Sequence, residues 1–255
     1  MFNINNADIK KGKSIAKVSG GKYNNKVITY VDKDTDDDEI FRAFNQIELD
    51  DGKFEQFPNM DRERDVIYIA GPSGSGKSFY TKLYLRNYMK QYPKNGLYMI
   101  SKLTEDSSLD DVKELKRIKI DKTLITSPLD VEDFKDCLII FDDIDCIKDK
   151  AQKEALNQLK NEILETGRHT RTTILITSHL ACKGNETRSI LNECHSLTFF
   201  LGSGMPVDYL LQNYVGLEKK QIQNLKQIPS RWITIFRSFP MMVLTEKKLM
   251  FLKDL

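Results

Sequence analysis

Residues 65–78, DVIYIAGPSGSGKS, run a block of apolar side chains into a glycine-rich turn that ends on a lysine and a serine. The first six residues read as a strand. KSFYTKLYLRNYMKQY, residues 77–92, reads as a helix with an apolar face through Phe79, Leu83, Tyr84 and Tyr88, closed before Pro93. Between them GPSGSGKS, Gly71 to Ser78, is a complete phosphate-binding pattern of glycine, four residues, glycine, lysine and serine. Glycines let backbone amides turn inward on a phosphate, and the helix N-terminus adds its positive field. In that geometry Lys77 reaches the β- and γ-phosphates and the Ser78 hydroxyl ligates magnesium. The expected nucleotide cradle is therefore Gly71, Pro72, Ser73, Gly74, Ser75, Gly76, Lys77, Ser78 and Phe79. No guanine-reading NKxD stretch follows, so ATP with Mg2+ is expected rather than GTP.

The other half of such a site is an acid at a strand end, and LIIFDDID, Leu138 to Asp145, supplies it. The acidic strand is expected beside the loop strand, with its C-terminal end at the metal. Asp142 is then the magnesium partner. Asp143, expected to point to the other side of the strand, is the candidate for polarising the attacking water, with a capping or ion-paired role as the alternative. Asp145 reads as a cap of the following turn. TTILITSHL, residues 172–180, brings Thr177, Ser178 and His179 to another strand end. His179 or Ser178 is a candidate for sensing the γ-phosphate or orienting water, against the alternative of a packed or surface histidine. Arg168 and Arg171 in GRHTR, and Arg188 in NETRSILNE, are candidates for the charge-compensating arginine, from this or a neighbouring subunit. Ordinary surface ion pairs are the alternative for each.

Around these motifs GLYMIS (96–101), CLIIF (137–141), TTILITS (172–178) and SLTFFL (196–201) read as compact, nearly all-apolar strands, and KAQKEALNQLKNEILETG (150–167) as an amphipathic helix stopped by Gly167. The expected fold is α/β, a P-loop NTPase with a mostly parallel sheet covered by helices on both faces. Residues 1–64 read as a small N-terminal β extension, 65–202 as the ATPase core, and 203–255 as a C-terminal helix and strand addition packed on it. The last includes a helical stretch over 206–228, a strand, and a hairpin turning at Glu246–Lys248. In the extension, SIAKV and KVITYV flank the SGGKYNN turn, DKDTDDDE (32–39) forms an acidic loop, and FNQIELDDGKFEQFP carries an Asp-Gly turn signal.

The formal net charge of +2 on 255 residues does not by itself point to nucleic acid. Distribution says more, because from Lys219 onward eight Lys/Arg face two acids; Lys219, Lys220, Arg231 and Arg237 are the candidates for meeting a phosphate backbone. Cys137, Cys146, Cys182 and Cys194 form no CxxC pair and read as reduced thiols; His179, Cys182, Cys194 and His195 fit no common zinc spacing, so packing is expected there. With no long apolar span and a polar start, a soluble intracellular protein without a membrane span is expected.

Taken together, YIAGPSGSGKS, LIIFDDID, ILETGRHTRTTILITSHL and TRSILNECHSLTFF resemble the FtsK/HerA-like DNA-packaging ATPases of large DNA viruses (poxvirus-type) and of tailless phages, over roughly residues 60–202. The resemblance implies an ATP-driven motor that assembles as a homo-oligomeric ring, a hexamer in many cases, and moves double-stranded DNA into a capsid. It further implies a capsid or portal-vertex partner and a setting in host cytoplasm, viral factory or virion. It assigns Lys77 and Ser78 to phosphate and magnesium, Asp142 to the metal, Asp143 to the catalytic acid, and Arg188 to a contact across subunits. The sensor at the end of the fourth core strand is commonly glutamine in that family, whereas this chain has His179. The motifs leave three alternatives open: an AAA-like or helicase-loader-type ATPase that remodels a protein partner, a nonhydrolysing nucleotide-binding regulator, and a small-molecule kinase.

Overall fold

The computed structural model describes residues 1–5, 12–31, 44–182, 184–200 and 205–255. The acidic run at 32–39 lies outside them. The described part begins with five short strands, β1 (Phe2–Asn5), β2 (Lys13–Ser19), β3 (Val27–Tyr30), β4 (Gln46–Glu48) and β5 (Lys53–Gln56). The loop strand β6 (Val66–Ala70) then leads into α1 (Lys77–Gln91). There follow β7 (Gly96–Ser101), β8 (Leu115–Ile118), α2 (Thr123–Thr126), β9 (Cys137–Asp142), α3 (Lys150–Thr166), β10 (Thr173–Ser178), α4 (Asn185–Glu193) and β11 (Ser196–Phe200). The chain closes with α5 (Met205–Leu210), a π-helical turn, α6 (Lys219–Gln227), β12 (Trp232–Phe236), β13 (Met242–Thr245) and β14 (Lys248–Phe251).

Ten strands form one mixed sheet in the order β4-β14-β13-β12-β11-β6-β10-β9-β7-β8. The six from β11 to β8 run parallel, and β12, β13, β14 and β4 continue the sheet antiparallel. The parallel expectation thus holds for the core half only, because the strands of the C-terminal addition, with β4, extend the same sheet antiparallel while its helices α5 and α6 pack on one face. β6, β9, β10 and β11 are buried along their whole length, which is why they read as continuous apolar runs rather than alternating ones.

The sheet order also differs from the sequence expectation in one respect that matters for the site. β10 lies between β6 and β9, pairing with both, so the acidic strand is one place removed from the loop strand. The end of β10 therefore stands between the phosphate loop and the acids.

Each face of the sheet has its own cover. Ile139, Phe141, Ile174 and Ile176 pack under α3, α4 and α6, with α3 contributing Leu156, Leu159, Ile163 and Leu164 at helical spacing. The Asp149 side chain starts α3 by accepting from the Gln152 amide at 2.9 Å. Leu138, Ile140 and Leu175 pack on the opposite side against α1 and a small antiparallel sheet, β1-β3-β2-β5, so among the described residues β strands share that face with α1. The Asp51–Gly52 turn separates β4 from β5, yet β4 joins the large sheet and β5 the small one, so the turn signal marks a change of sheet and not a paired hairpin. No helix among the described residues is long and apolar enough to cross a membrane.

The face α1 buries is one residue away from the expected one. Tyr80, Thr81, Tyr84, Leu85 and Tyr88 are buried, while Phe79 is 51% exposed. Tyrosines win the buried positions because their hydroxyls find partners: Tyr80 Oη donates to Gln56 Oε1 at 2.6 Å and Tyr84 Oη to Asp65 Oδ2 at 2.7 Å.

At the edge opposite the phosphate loop, the Arg64 guanidinium donates to the carbonyls of Ile163 and, at 2.7 Å, Leu164, the last turn of α3. Gly167 passes against that guanidinium, where a Cβ would collide with Arg64 Nη1. Beside it His195 Nδ1 accepts the Val66 amide at 3.2 Å. Burial, then the charges of Arg62 and Arg64, pull the imidazole down to about 3. An unfolded histidine titrates near 6.5, so below that pH the unfolded chain binds a proton the native one refuses. The stability this neutral imidazole gives is complete above pH 6.5 and is lost as pH falls toward 3. Urea titrations should therefore show wild type losing about 2 kcal/mol more than His195→Asn between pH 7 and pH 5.

Candidate nucleotide site

The C-terminal edge of the parallel strands gathers Gly71, Ser101, Asp142 and Thr177 at or just beyond the ends of β6, β7, β9 and β10. Gly71 leaves β6 with its amide donating to the Ser178 carbonyl at 3.0 Å, which anchors the loop to β10. Gly74 and Gly76 hold φ of +74° and +109°, conformations that side chains oppose, and a Cβ on Gly71 would stand 2.7 Å from Ser75 Oγ and 2.9 Å from the Phe200 ring. Phe200, the last residue of β11, therefore forms a floor under the loop. It was not singled out from the sequence, where it is one more apolar residue of SLTFFL.

Lys77 is buried, its Nζ donating to the Gly71 carbonyl at 2.9 Å and standing 3.6 Å from Asp143 Oδ2. His179 joins the same group, with Nε2 3.1 Å from Asp143 Oδ2 and Nδ1 3.4 Å from Lys77 Nζ. Three of the sequence candidates thus meet around one carboxylate. Asp143 faces Lys77, and does not turn away as strand alternation suggests, because its backbone leaves the strand at φ +46°, ψ +37°. That left-handed turn is uncommon outside glycine and re-aims the side chain. Burial pushes the Asp143 carboxyl up; Lys77 pulls it back, Asp142 raises it, His179 lowers it and Asp145 raises it.

Asp142 is buried, and each of its oxygens takes one hydroxyl, from Ser101 and from Thr177. Neither hydroxyl was assigned this role from the sequence. The signal was nevertheless present, since each neighbouring apolar strand ends on a polar residue. Ser178 turns to the α3 face, donating to the Leu180 carbonyl at 2.9 Å and lying 3.5 Å from Asp145 Oδ2, so of the two sensor candidates His179 is the one at Lys77.

The arginine candidates are placed elsewhere. Arg168 is ion-paired with Glu63, and Arg171 takes Asp136 through two bonds of 2.5 and 2.7 Å, both in the loop that enters β10 at the far edge. A cleft of about 250 Å³ opens at that edge among Arg62, Tyr88, Tyr92 and Arg171, well away from the phosphate loop. Arg188 is exposed on α4, which leaves from the loop edge of the sheet. Among the basic candidates, Arg231 holds Glu246 at 2.8 Å together with Lys53, whereas Arg237 lies at the other end of β12, 3.4 Å from Cys194 Sγ. Lys219 and Lys220 are exposed at the start of α6. No group of three metal-ligating His, Cys, Asp or Glu side chains occurs among the described residues, and Cys194 and His195 sit at the edge opposite His179.

The loop is suited to a polyphosphate. Ser75 Oγ is buried without a hydrogen-bond partner inside it, and the glycines leave no Cβ to block backbone amides. For magnesium, Ser78 opens α1 beside the loop, and Asp142 has lone pairs left after its two hydroxyl bonds.

A mixed sheet flanked by helices, with a phosphate loop at the end of β6 and a buried acid at the end of β9 across the intervening β10, is consistent with a P-loop NTPase fold. The cytoplasmic domain of the Thermomonospora curvata type VII secretion ATPase EccC shares this fold at 12% identity, over 80% of this chain and 28% of that one, with a TM-score of 0.52. The pCW3 conjugation coupling protein TcpA, in its monomer form with ATPγS, does so at 13% identity over 95% of this chain and 78% of that one, with a TM-score of 0.54. The genome packaging NTPase B204 of Sulfolobus turreted icosahedral virus 2, in complex with ATPγS, is similar over 72% of this chain and 98% of its own, at 13% identity and a TM-score of 0.49. No family model matches the chain. In sequence it is 41% identical to the uncharacterized protein V3 of the Sputnik virophage over 249 residues, 93% of this chain and 94% of that protein. The chain belongs to the family of that virophage protein.

Proposed function

We propose that this protein is a magnesium-dependent ATPase that couples hydrolysis to the movement of double-stranded DNA, as a homo-oligomeric ring acting at a capsid or portal vertex. The observation that carries the ATPase reading is the meeting of Lys77, Asp143 and His179 beside a buried Asp142, under a complete phosphate loop. The DNA part is supported by the motif resemblance and by the basic C-terminal stretch.

Bound Mg2+, held by Ser78 and Asp142, would neutralise charge on the phosphates. Lys77 exchanges its ion pair with Asp143 for the phosphates, since one ammonium serves both and the polyphosphate brings more negative charge than one carboxylate. Asp143, released from Lys77, accepts the proton of the attacking water, and His179 holds its Oδ2 side in place. Charge compensation as the phosphate leaves needs an arginine. Every other described arginine is occupied by a carboxylate, a carbonyl or a thiol, so exposed Arg188 is assigned this task from a neighbouring copy.

A third strand annealed in the major groove of a duplex reports translocation. Wild type with MgATP should displace it, and duplex affinity should fall steeply with salt while showing little sequence preference. Robust hydrolysis without displacement, switched on instead by a purified capsid or replication protein, would transfer the activity to protein remodelling.

A further inference from the structure

Ser101, Asp142 and Thr177 stand in a row at the ends of β7, β9 and β10. Ser101 is paired with Asp142, and Thr177 follows the pair Ile176–Phe141, so the three are level across the sheet. Each comes directly after a residue of the α3 face, Ile100, Phe141 or Ile176, and so points to the α1 face where the phosphate loop ends. Ser101 Oγ donates to Asp142 Oδ2 at 2.8 Å and Thr177 Oγ1 donates to Asp142 Oδ1 at 2.8 Å. Both hydroxyls also accept a backbone amide: Leu103 N–H reaches Ser101 Oγ at 3.1 Å, and Asp143 N–H reaches Thr177 Oγ1 at 3.0 Å.

We infer that Ser101 and Thr177 are positioning residues, Ser101 for the metal-facing plane of Asp142 alone, and Thr177 for Asp142 together with the turn that presents Asp143. A carboxylate at a strand end is free to rotate, and one hydroxyl on each oxygen, arriving from opposite strands, fixes its plane while leaving lone pairs for a metal. Thr177 has a second duty. Asp143 stays in its left-handed conformation only while something ties it there, and the tie from its amide ends on the hydroxyl that clamps Asp142. The acid for the metal and the acid for the water are thereby set by one side chain on a third strand. This inference rests on the ATPase reading and adds a division of labour that the two acids alone do not contain.

The test uses Ser101→Ala, Thr177→Val and Thr177→Ser in the full chain. Two readouts are needed: the Mg2+ concentration for half-maximal binding of a fluorescent, nonhydrolysable ATP analogue, and kcat and KM for MgATP. Ser101→Ala should raise the Mg2+ requirement about tenfold with kcat changed less than about threefold. Thr177→Val should raise it similarly and also lower kcat about 30- to 100-fold, and Thr177→Ser should return both to within about threefold of wild type. A Thr177→Val enzyme with wild-type Mg2+ requirement and kcat overturns the inference, as does a Thr177→Ser enzyme as impaired as Thr177→Val, which would make the methyl group and not the hydroxyl responsible. If Thr177→Val does not fold, Ser101→Ala and Thr177→Ser decide: an unchanged Mg2+ requirement in Ser101→Ala overturns the clamp. Wild type that binds the Mg2+–analogue pair yet never hydrolyses ATP would refute the ATPase reading, while the Mg2+ shifts would still decide the clamp.

Discussion

Asp143→Asn should lower ATP turnover by about 10²- to 10³-fold and leave nucleotide affinity equal to wild type or higher. The amide keeps the size of the carboxyl, and its oxygen can still accept a hydrogen bond, so the turn at Asp143 survives. It cannot take a proton from water. It also ceases to compete for Lys77, whose ammonium lies 3.6 Å from Asp143 Oδ2, so the lysine becomes more available to phosphate. Affinity and turnover move in opposite directions only if Asp143 is both the lysine's resting partner and the proton acceptor. Titration calorimetry with a nonhydrolysable ATP analogue and steady-state phosphate release separate the two. A variant that turns over at the wild-type rate would return Asp143 to the status of an ion-paired residue.

Lys77→Ala should abolish activity by the other route, weakening nucleotide binding by about 100-fold or more, because the loop then offers amides without the one buried ammonium aimed into it. The substitution leaves the Asp143 carboxylate with His179 as its remaining ion-pair partner. A Lys77→Ala chain that still binds the analogue tightly would show that backbone amides alone hold the phosphates.

Much of this arrangement was legible in the sequence where a residue's role is set locally. Gly71–Ser78 follows a strand and opens a helix in the fold as in the sequence, and β7, β9, α3, β10 and β11 fall within a residue or two of the apolar runs and caps that announced them. Roles that depend on which strand lies beside which were not legible. β10 between β6 and β9 is a long-range choice, and with it came the importance of Thr177 and Ser101, whose polar ends looked like ordinary strand exits. β8 escaped notice because LKRI is a partly exposed edge strand with one neighbour. Phe79 was assigned to the core over Tyr80 because apolar ranking ignores hydroxyls that find buried partners. Arg168 drew attention through its place in GRHTR, yet the turn carrying it enters β10 from the far edge, where Glu63 takes it.

The initial rate of phosphate release from MgATP, per chain, with and without duplex DNA across a range of protein concentration, tests the central claim most directly. A DNA-driven ring with an arginine supplied by a neighbour should show a specific rate that climbs with assembly and climbs again with duplex. Arg188→Ala should remove that rise while keeping nucleotide affinity. A specific rate that is the same at every concentration and indifferent to duplex would contradict the account.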